Sequence, residues 1–135
     1  MKRLVPIVTV VSLCLAAGSV GWIARAAEEE AKQEEHRLAL KGQDPIELIN
    51  GKTVKGNEEL SAVHKKFRYL FANAKNQEKF QSNPDRYGIQ GDGQCIVYPD
   101  APADPSIFTV YQGKIYAFAT EQCVVRFNED PKRYL

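Results

Sequence analysis

Tyr69-Leu70-Phe71-Ala72 and Tyr116-Ala117-Phe118-Ala119 are two copies of one short stretch, and they lie 47 residues apart. Residues downstream keep the same offset, and these pairs are Phe80 and Phe127, Pro84 and Pro131, Arg86 and Arg133, and Tyr87 and Tyr134. A repeated unit of about 25 residues is too small to bury a core alone. The repeat therefore predicts one domain in which two similar units pack together.

The first unit predicts a β-hairpin followed by a helix. Lys65-Lys66 marks the turn, and alternating aromatic residues over 67–71 place three rings on one face of the second strand. Asn73 is a candidate N-cap for a helix over residues 74–81. Pro84 ends this helix, because its ring cannot continue the helical hydrogen bonds.

The second unit repeats this order of elements. Strands are predicted over residues 108–111 and 114–118, and Thr120 is the candidate N-cap of a helix that stops before Pro131. The sequence thus predicts an α+β fold of two strand–strand–helix units that share one aromatic core. The rings of this predicted core are Tyr69, Phe71, Phe80, Tyr87, Tyr116, Phe118, Phe127 and Tyr134.

Aspartate-proline pairs stand before both units, at Asp44-Pro45 and Asp104-Pro105. An aspartate can bond its own downstream backbone and proline fixes a turn, so each pair is predicted to be a structural turn. A cation site is the alternative role for the two aspartates. The connection over residues 88–105 is irregular, with one strand candidate at residues 95–98, and a long irregular connection is where a site is expected.

The N-terminal residues differ in kind from the rest of the chain. Lys2 and Arg3 precede an uncharged apolar run over residues 4–24, and Ala24-Arg25-Ala26 has the small-x-small pattern of a cleavage site. We predict a signal peptide at residues 1–26, a charged spacer at 27–39 and a domain at 40–135. The alternative is an uncleaved anchor formed by residues 4–24, which are enough to span a bilayer. The domain is then periplasmic or secreted, and it meets the membrane only through an uncleaved N-terminal segment.

Charge and motif content exclude several function classes. Cleavage after Ala26 removes three basic residues and no acidic one, so the net charge falls from +1 to −2. A near-neutral domain with mixed charges is not expected to bind nucleic acid. The sequence holds no glycine-rich phosphate loop, no nucleophile motif and no haem attachment motif. We therefore predict a protein that is not an enzyme and carries no cofactor.

Two cysteines form the sharpest candidate site. Cys14 leaves with the predicted signal peptide, so Cys95 and Cys123 remain as an even pair in an oxidising compartment, where a disulfide is the default. Two alternatives stay open. The cysteines are buried or reactive free thiols, or they are ligands of a transition metal ion, with His64 or a carboxylate completing the set.

The order of short motifs over residues 38–135 resembles that of the YHS domain family, most closely its exported members. The residues that carry the resemblance in the first unit are Asp44-Pro45-Ile46, Tyr69-x-Phe71-Ala72, Phe80, Asn83-Pro84 and Tyr87. Those in the second half are Gly91-Asp92-Gly93-Gln94-Cys95-Ile96, Asp104-Pro105, the segment 110–116 and the segment 123–134.

The resemblance implies more about fold than about function. Some family members carry Asp-Pro-Val-Cys-Gly-Met and are associated with metal handling. In this chain Glu47 stands where that motif has its cysteine, and Leu48-Ile49 stand where it has Gly-Met. Exported members of this type generally have no assigned activity.

The sequence thus favours a non-catalytic binding module whose working surface is the connection over residues 88–105, with an unknown protein or small ligand as its partner. The alternative is a metal-handling protein for copper or another heavy metal. It would use Cys95 and Cys123, with His64 as a further candidate ligand.

Overall fold

Two small three-stranded sheets form the framework of the computed structural model, which describes residues 36–135. The predicted signal peptide, the alternative anchor, Cys14 and most of the predicted spacer lie outside the described residues. The first sheet has the order β1-β3-β2 and contains β1 (Arg37–Leu38), β2 (Asn57–His64) and β3 (Phe67–Phe71). The second has the order β4-β6-β5 and contains β4 (Ile89–Gln90), β5 (Asp104–Tyr111) and β6 (Lys114–Phe118).

The two sheets have the same pairing pattern. In each, two long strands form an antiparallel hairpin, and a two-residue strand adds in parallel to the second strand of that hairpin. Both hairpins also carry a shift in register, between Asn57 and Ser61 in β2 and between Asp104 and Phe108 in β5. The predicted α+β fold with two similar units is confirmed, and the structure adds the two short parallel strands.

One helix precedes the first hairpin, and a nine-residue helix follows each hairpin at the matching position. The helices are α1 (Pro45–Ile49), α2 (Ala74–Ser82), α3 (Pro84–Tyr87) and α4 (Glu121–Glu129), with 3-10 turns at Leu40–Gly42 and Pro131–Arg133. Asn73 caps α2 as predicted, because its side-chain oxygen accepts the Asn76 N–H at 2.8 Å. Thr120 precedes α4 but makes no capping bond, and its hydroxyl lies 3.2 Å from the Cys123 sulfur instead. Among the described residues, no helix has the length and apolar character needed to cross a membrane.

The predicted aromatic core consists of two clusters, each centred on the phenylalanine of a helix. Phe80 of α2 lies 4.7 Å from Tyr69 and 5.1 Å from Phe71, between ring centroids. Phe127 of α4 lies 5.4 Å from Tyr116 and 5.3 Å from Phe118. The first cluster also includes Ile115 and Ala117 from β6, so the units are joined there.

Three expectations about element positions need correction. The folded region begins before residue 40, since β1 pairs with β3 and the buried Ala39 donates its N–H to the Arg68 carbonyl at 2.9 Å. Residues 95–98 form no strand. They belong to a loop over residues 95–102, here called the cysteine loop, which is closed by a 2.9 Å bond from the Cys95 N–H to the Ala101 carbonyl.

The third correction concerns the two aspartate-proline pairs: each aspartate accepts a downstream backbone N–H as predicted, but the two pairs are not equivalent. Asp44 is the N-cap of α1, whereas Asp104 is the first residue of β5. The counterpart of Asp104 is Asn57, 47 residues earlier, since Asn57 pairs with Phe71 as Asp104 pairs with Phe118. The Ser106 hydroxyl and N–H both donate to Asp104, and they hold the pKa of its carboxyl below the usual value.

Tyr69 supplies a prediction about stability at high pH. Its hydroxyl oxygen accepts the Ile89 N–H at 2.9 Å, and burial raises its pKa from 10.0 to about 12. Folding therefore favours the neutral phenol, and this contribution is complete below pH 10 and is lost as the pH rises through 12. We expect the free energy of unfolding to fall by on the order of 2 to 3 kcal/mol across this window. Urea unfolding at stepped pH measures it, with Tyr69→Phe as the control, and parallel curves for the two proteins would contradict the prediction.

Candidate functional site

A fully buried carboxylate organises the first unit. Asp44 has 0% of its surface exposed. One of its oxygens accepts the N–H groups of Ile46 at 2.8 Å and Glu47 at 3.2 Å. The other accepts the Ala72 N–H at 2.7 Å and the Asn76 side-chain amide at 2.8 Å. Four donors thus compensate for the loss of water around this carboxylate.

The second unit has the same arrangement with sulfur in place of oxygen. The Asp44 N–H donates to the Val54 carbonyl at 2.8 Å, and the Cys95 N–H donates to the Ala101 carbonyl at 2.9 Å. Val54 and Ala101 are 47 residues apart, which is the offset of the repeat. Asp44 and Cys95 therefore occupy equivalent places in the two units, although they are 51 residues apart because the first unit is longer around α1.

The donors around the Cys95 sulfur match those around Asp44 one by one. The sulfur faces the N–H groups of Ala119, Tyr98 and Val97. Val97 and Tyr98 stand two and three positions after Cys95, as Ile46 and Glu47 stand after Asp44, and Ala119 is the repeat partner of Ala72. We call this set of three backbone N–H groups the N–H cradle.

Cys123 completes the correspondence. It lies 47 residues after Asn76, the residue whose amide donates to Asp44, and it is a buried neighbour of Cys95 in the second cluster. The Thr120 hydroxyl lies beside the Cys123 sulfur, at 3.2 Å. An Asp–Asn pair in the first unit is thus replaced by a Cys–Cys pair in the second.

Opposing effects set the acidity of Cys95. Burial raises the pKa of its thiol, while the N–H cradle and the Cys123 side chain lower it. The net result is a pKa below the ordinary value for cysteine. This environment favours the thiolate form of Cys95, while burial shields its sulfur from reagents.

The structure brings together only part of the predicted cysteine and histidine set. Cys95 and Cys123 are buried neighbours, and within residues 36–135 both are free thiols. His64 belongs to the first unit, where its Nε2 lies 3.0 Å from an Asp85 carboxylate oxygen and its ring packs edge-on against Phe80. In the described part of the chain, no three or more His, Cys, Asp or Glu side chains are grouped as a metal site. The three-residue metal set is therefore not assembled, and the disulfide stays a prediction.

His64 takes part in a charged surface cluster that the sequence did not indicate. Lys65 contacts both Asp85, at 3.2 Å, and Asp92. Hydrogen bonds to these carboxylates, first to Asp92, raise the pKa of Lys65, and the bonds from Lys65 and His64 lower the pKa of Asp85. Side-chain contacts of this kind in exposed positions contribute little to stability.

The cysteine loop presents one exposed aromatic ring, that of Tyr98. Tyr98 is 46% exposed, and the Arg126 guanidinium of α4 lies over its ring at 5.6 Å and donates to its hydroxyl. Val125, the preceding residue of α4, is 58% exposed. The sequence placed a working surface in this connection but did not indicate the contribution of α4, because no local pattern links residues so far apart in the chain.

Comparison with known proteins bears on the second unit. Residues 106–135 match the family model described as the YHS domain. No curated protein and no solved structure gave a significant match to the chain. The matched residues run from within β5 to the end of the chain and include α4 with Cys123. The segment 106–135 is thus a YHS domain match, in agreement with the resemblance predicted for that part of the sequence.

Proposed function

We propose that this protein is an exported, non-catalytic binding module that recognises another protein. Its contact surface consists of Tyr98, Pro99 and Asp100 of the cysteine loop together with Val125 and Arg126 of α4, and we call it the Tyr98 surface. The proposal rests on one observation: Tyr98 and Val125 are 46% and 58% exposed, and the Arg126 guanidinium lies over the Tyr98 ring. Tyrosine and arginine are the residue types enriched at the centres of protein interfaces.

The Tyr98 surface is held in place before any partner arrives. The Ala101 N–H donates to the Tyr98 carbonyl at 2.9 Å, and the Cys95 N–H closes the loop on Ala101. The contacts of Arg126 with the ring and hydroxyl of Tyr98 join the loop to α4. Preorganisation reduces the entropy that association would otherwise cost.

A protein partner fits this surface better than a small ligand. Small molecules bind in concave sites that cover most of their surface. The residues of the Tyr98 surface are exposed, and residues 98–101 form a turn closed by the bond from the Ala101 N–H to the Tyr98 carbonyl. Export rests on the N-terminal sequence pattern of residues 1–26, and we propose a periplasmic or secreted location on that ground.

Photo-crosslinking at two valines of similar exposure tests the proposal. A crosslinking amino acid is placed at Val125, which is 58% exposed, or at Val63, which is 54% exposed and lies in β2 of the first unit. In the source cells we expect one discrete heavier adduct from position 125 and none from position 63. Adding Tyr98→Ala should reduce the adduct about tenfold or more, because a central tyrosine anchor contributes about 2 kcal/mol or more to binding. Equal adducts from both valines, or none from position 125, would contradict the proposal.

A further inference from the structure

The two units put different chemistry into the same backbone framework. In the first unit the acceptor at the centre is a carboxylate, and it accepts N–H groups from Ile46, Glu47 and Ala72. In the second unit the Cys95 sulfur faces the N–H cradle at the equivalent place. A framework that stabilises a buried negative charge in one unit offers the same stabilisation to a thiolate in the other.

The second sulfur is placed to react with the first. The Cys123 thiol is a buried neighbour of Cys95, and it occupies the place that corresponds, at the 47-residue offset, to the Asn76 amide that donates to Asp44. If position 123 served only to donate one hydrogen bond to residue 95, an asparagine would suffice, as Asn76 does for Asp44. A thiol beside a stabilised thiolate can in addition form a bond with it after one-step oxidation.

We infer that Cys95 is a peroxide-reactive thiolate and that Cys123 is its resolving thiol. The Cys95 thiolate attacks one oxygen of hydrogen peroxide, the O–O bond breaks, and Cys95 sulfenic acid forms with release of hydroxide. The Cys123 sulfur then attacks the Cys95 sulfur, and the hydroxyl group of the sulfenic acid leaves with the Cys123 proton as water. The net change is two thiols and one peroxide giving one disulfide and two waters.

Burial selects the oxidant. Both cysteines have 1% of their surface exposed, so a larger reagent, whether an oxidant, dithiothreitol, dimedone or an alkylating agent, reaches either sulfur more slowly and only when the cysteine loop opens more widely. Hydrogen peroxide is close in size to water and needs only a small opening of the cysteine loop. The N–H cradle also stabilises the reduced form, so the bond is expected to be reducible by ordinary dithiols, unlike a permanent structural disulfide.

This inference does not depend on the Tyr98 surface having a partner, and it is tested on the purified chain. All proteins carry Cys14→Ser, so that Cys95 and Cys123 are the only thiols. After reduction, we expect hydrogen peroxide to remove both free thiols from this protein and dithiothreitol to restore them. Peptide mapping should find residue 95 linked to residue 123 within one chain.

Single variants assign the roles of the two sulfurs. Cys123→Asn keeps a hydrogen-bond donor of the kind that the first unit has at Asn76 and removes the resolving thiol. In this variant dimedone should label Cys95 after peroxide treatment. In Cys95→Ser the remaining Cys123 should react with peroxide at least tenfold more slowly. The double variant Cys95→Asp with Cys123→Asn copies the first unit and serves as the folded control without thiols.

Three results would overturn the inference: both thiols surviving excess peroxide, a disulfide between two chains, or equal peroxide reactivity of the two single variants. If a single variant does not fold, the protein that keeps both thiols still decides the question. Limiting alkylation should then modify Cys95 before Cys123, and the reverse order would equally overturn the assignment.

Discussion

Replacing Phe127 with alanine is expected to lower the free energy of unfolding by about 3 to 5 kcal/mol. The Phe127 ring is fully buried and lies within 5.3 to 6.2 Å of four other rings, those of Tyr111, Tyr116, Phe118 and Tyr134. Truncation removes contacts with all four and leaves a cavity that the rigid rings cannot fill. Domains are stable by only about 5 to 15 kcal/mol, so the variant should be close to unfolding at room temperature.

Urea unfolding followed by circular dichroism measures this effect. Val125→Ala on the same helix is the matched control, because Val125 is exposed and its truncation should change the free energy by less than about 0.5 kcal/mol. Phe127→Leu should cost less than Phe127→Ala, since it fills part of the space. A loss below about 1 kcal/mol for Phe127→Ala would mean that the second cluster is not packed around this ring.

Replacing Asp44 with alanine is expected to have a comparable effect, of about 3 to 5 kcal/mol, for an electrostatic reason. The change leaves the N–H groups of Ile46, Glu47 and Ala72 and the amide of Asn76 without their acceptor. Each buried donor without a partner costs about 1 to 3 kcal/mol, and the penalties are only partly additive because water can enter the space. The start of α1, the end of β3 and the first turn of α2 would lose their common contact.

One further variant separates the effect of the Asp44 charge from that of its hydrogen bonds, and another serves as an exposed control. Asp44→Asn keeps one acceptor oxygen and sets its amide against existing donors, so we expect a loss smaller than that of Asp44→Ala. Asp100→Ala removes an exposed aspartate and should change stability by less than about 0.5 kcal/mol. The same urea titrations measure all three proteins. An Asp44→Ala protein as stable as Asp100→Ala would show that the four hydrogen bonds contribute nothing.

The sequence predicted the hairpins and the longer helices because they have local signals. Alternating rings over 67–71 and the Asn73 cap each act within a few residues, and their repetition after 47 residues reinforced both. The two parallel strands, Arg37–Leu38 and Ile89–Gln90, were missed because two residues carry no readable periodicity. The apolar residues 95–98 suggested a strand, but their backbone turns inward, and the N–H groups of Val97 and Tyr98 face the Cys95 sulfur.

The candidate site was predicted in its members but not in its arrangement. An even pair of cysteines is visible in any sequence, whereas the equivalence of Cys95 and Asp44 is not. The two residues are chemically unlike, and their spacing of 51 departs from the repeat because the first unit is longer around α1. Backbone hydrogen bonds to Val54 and Ala101 reveal the match, and only a three-dimensional structure contains them.

The shifted registers of β2 and β5 also bear on how copies of this protein behave when concentrated. Both strands lie at the edge of their sheet, and the opposite edge is a strand of only two residues. A long regular edge strand would present a row of unpaired backbone groups to which another chain can add. Bulges and short strands interrupt that row, so another chain cannot pair along it. The two units together therefore have four sheet edges, and none of the four is a long strand of regular register.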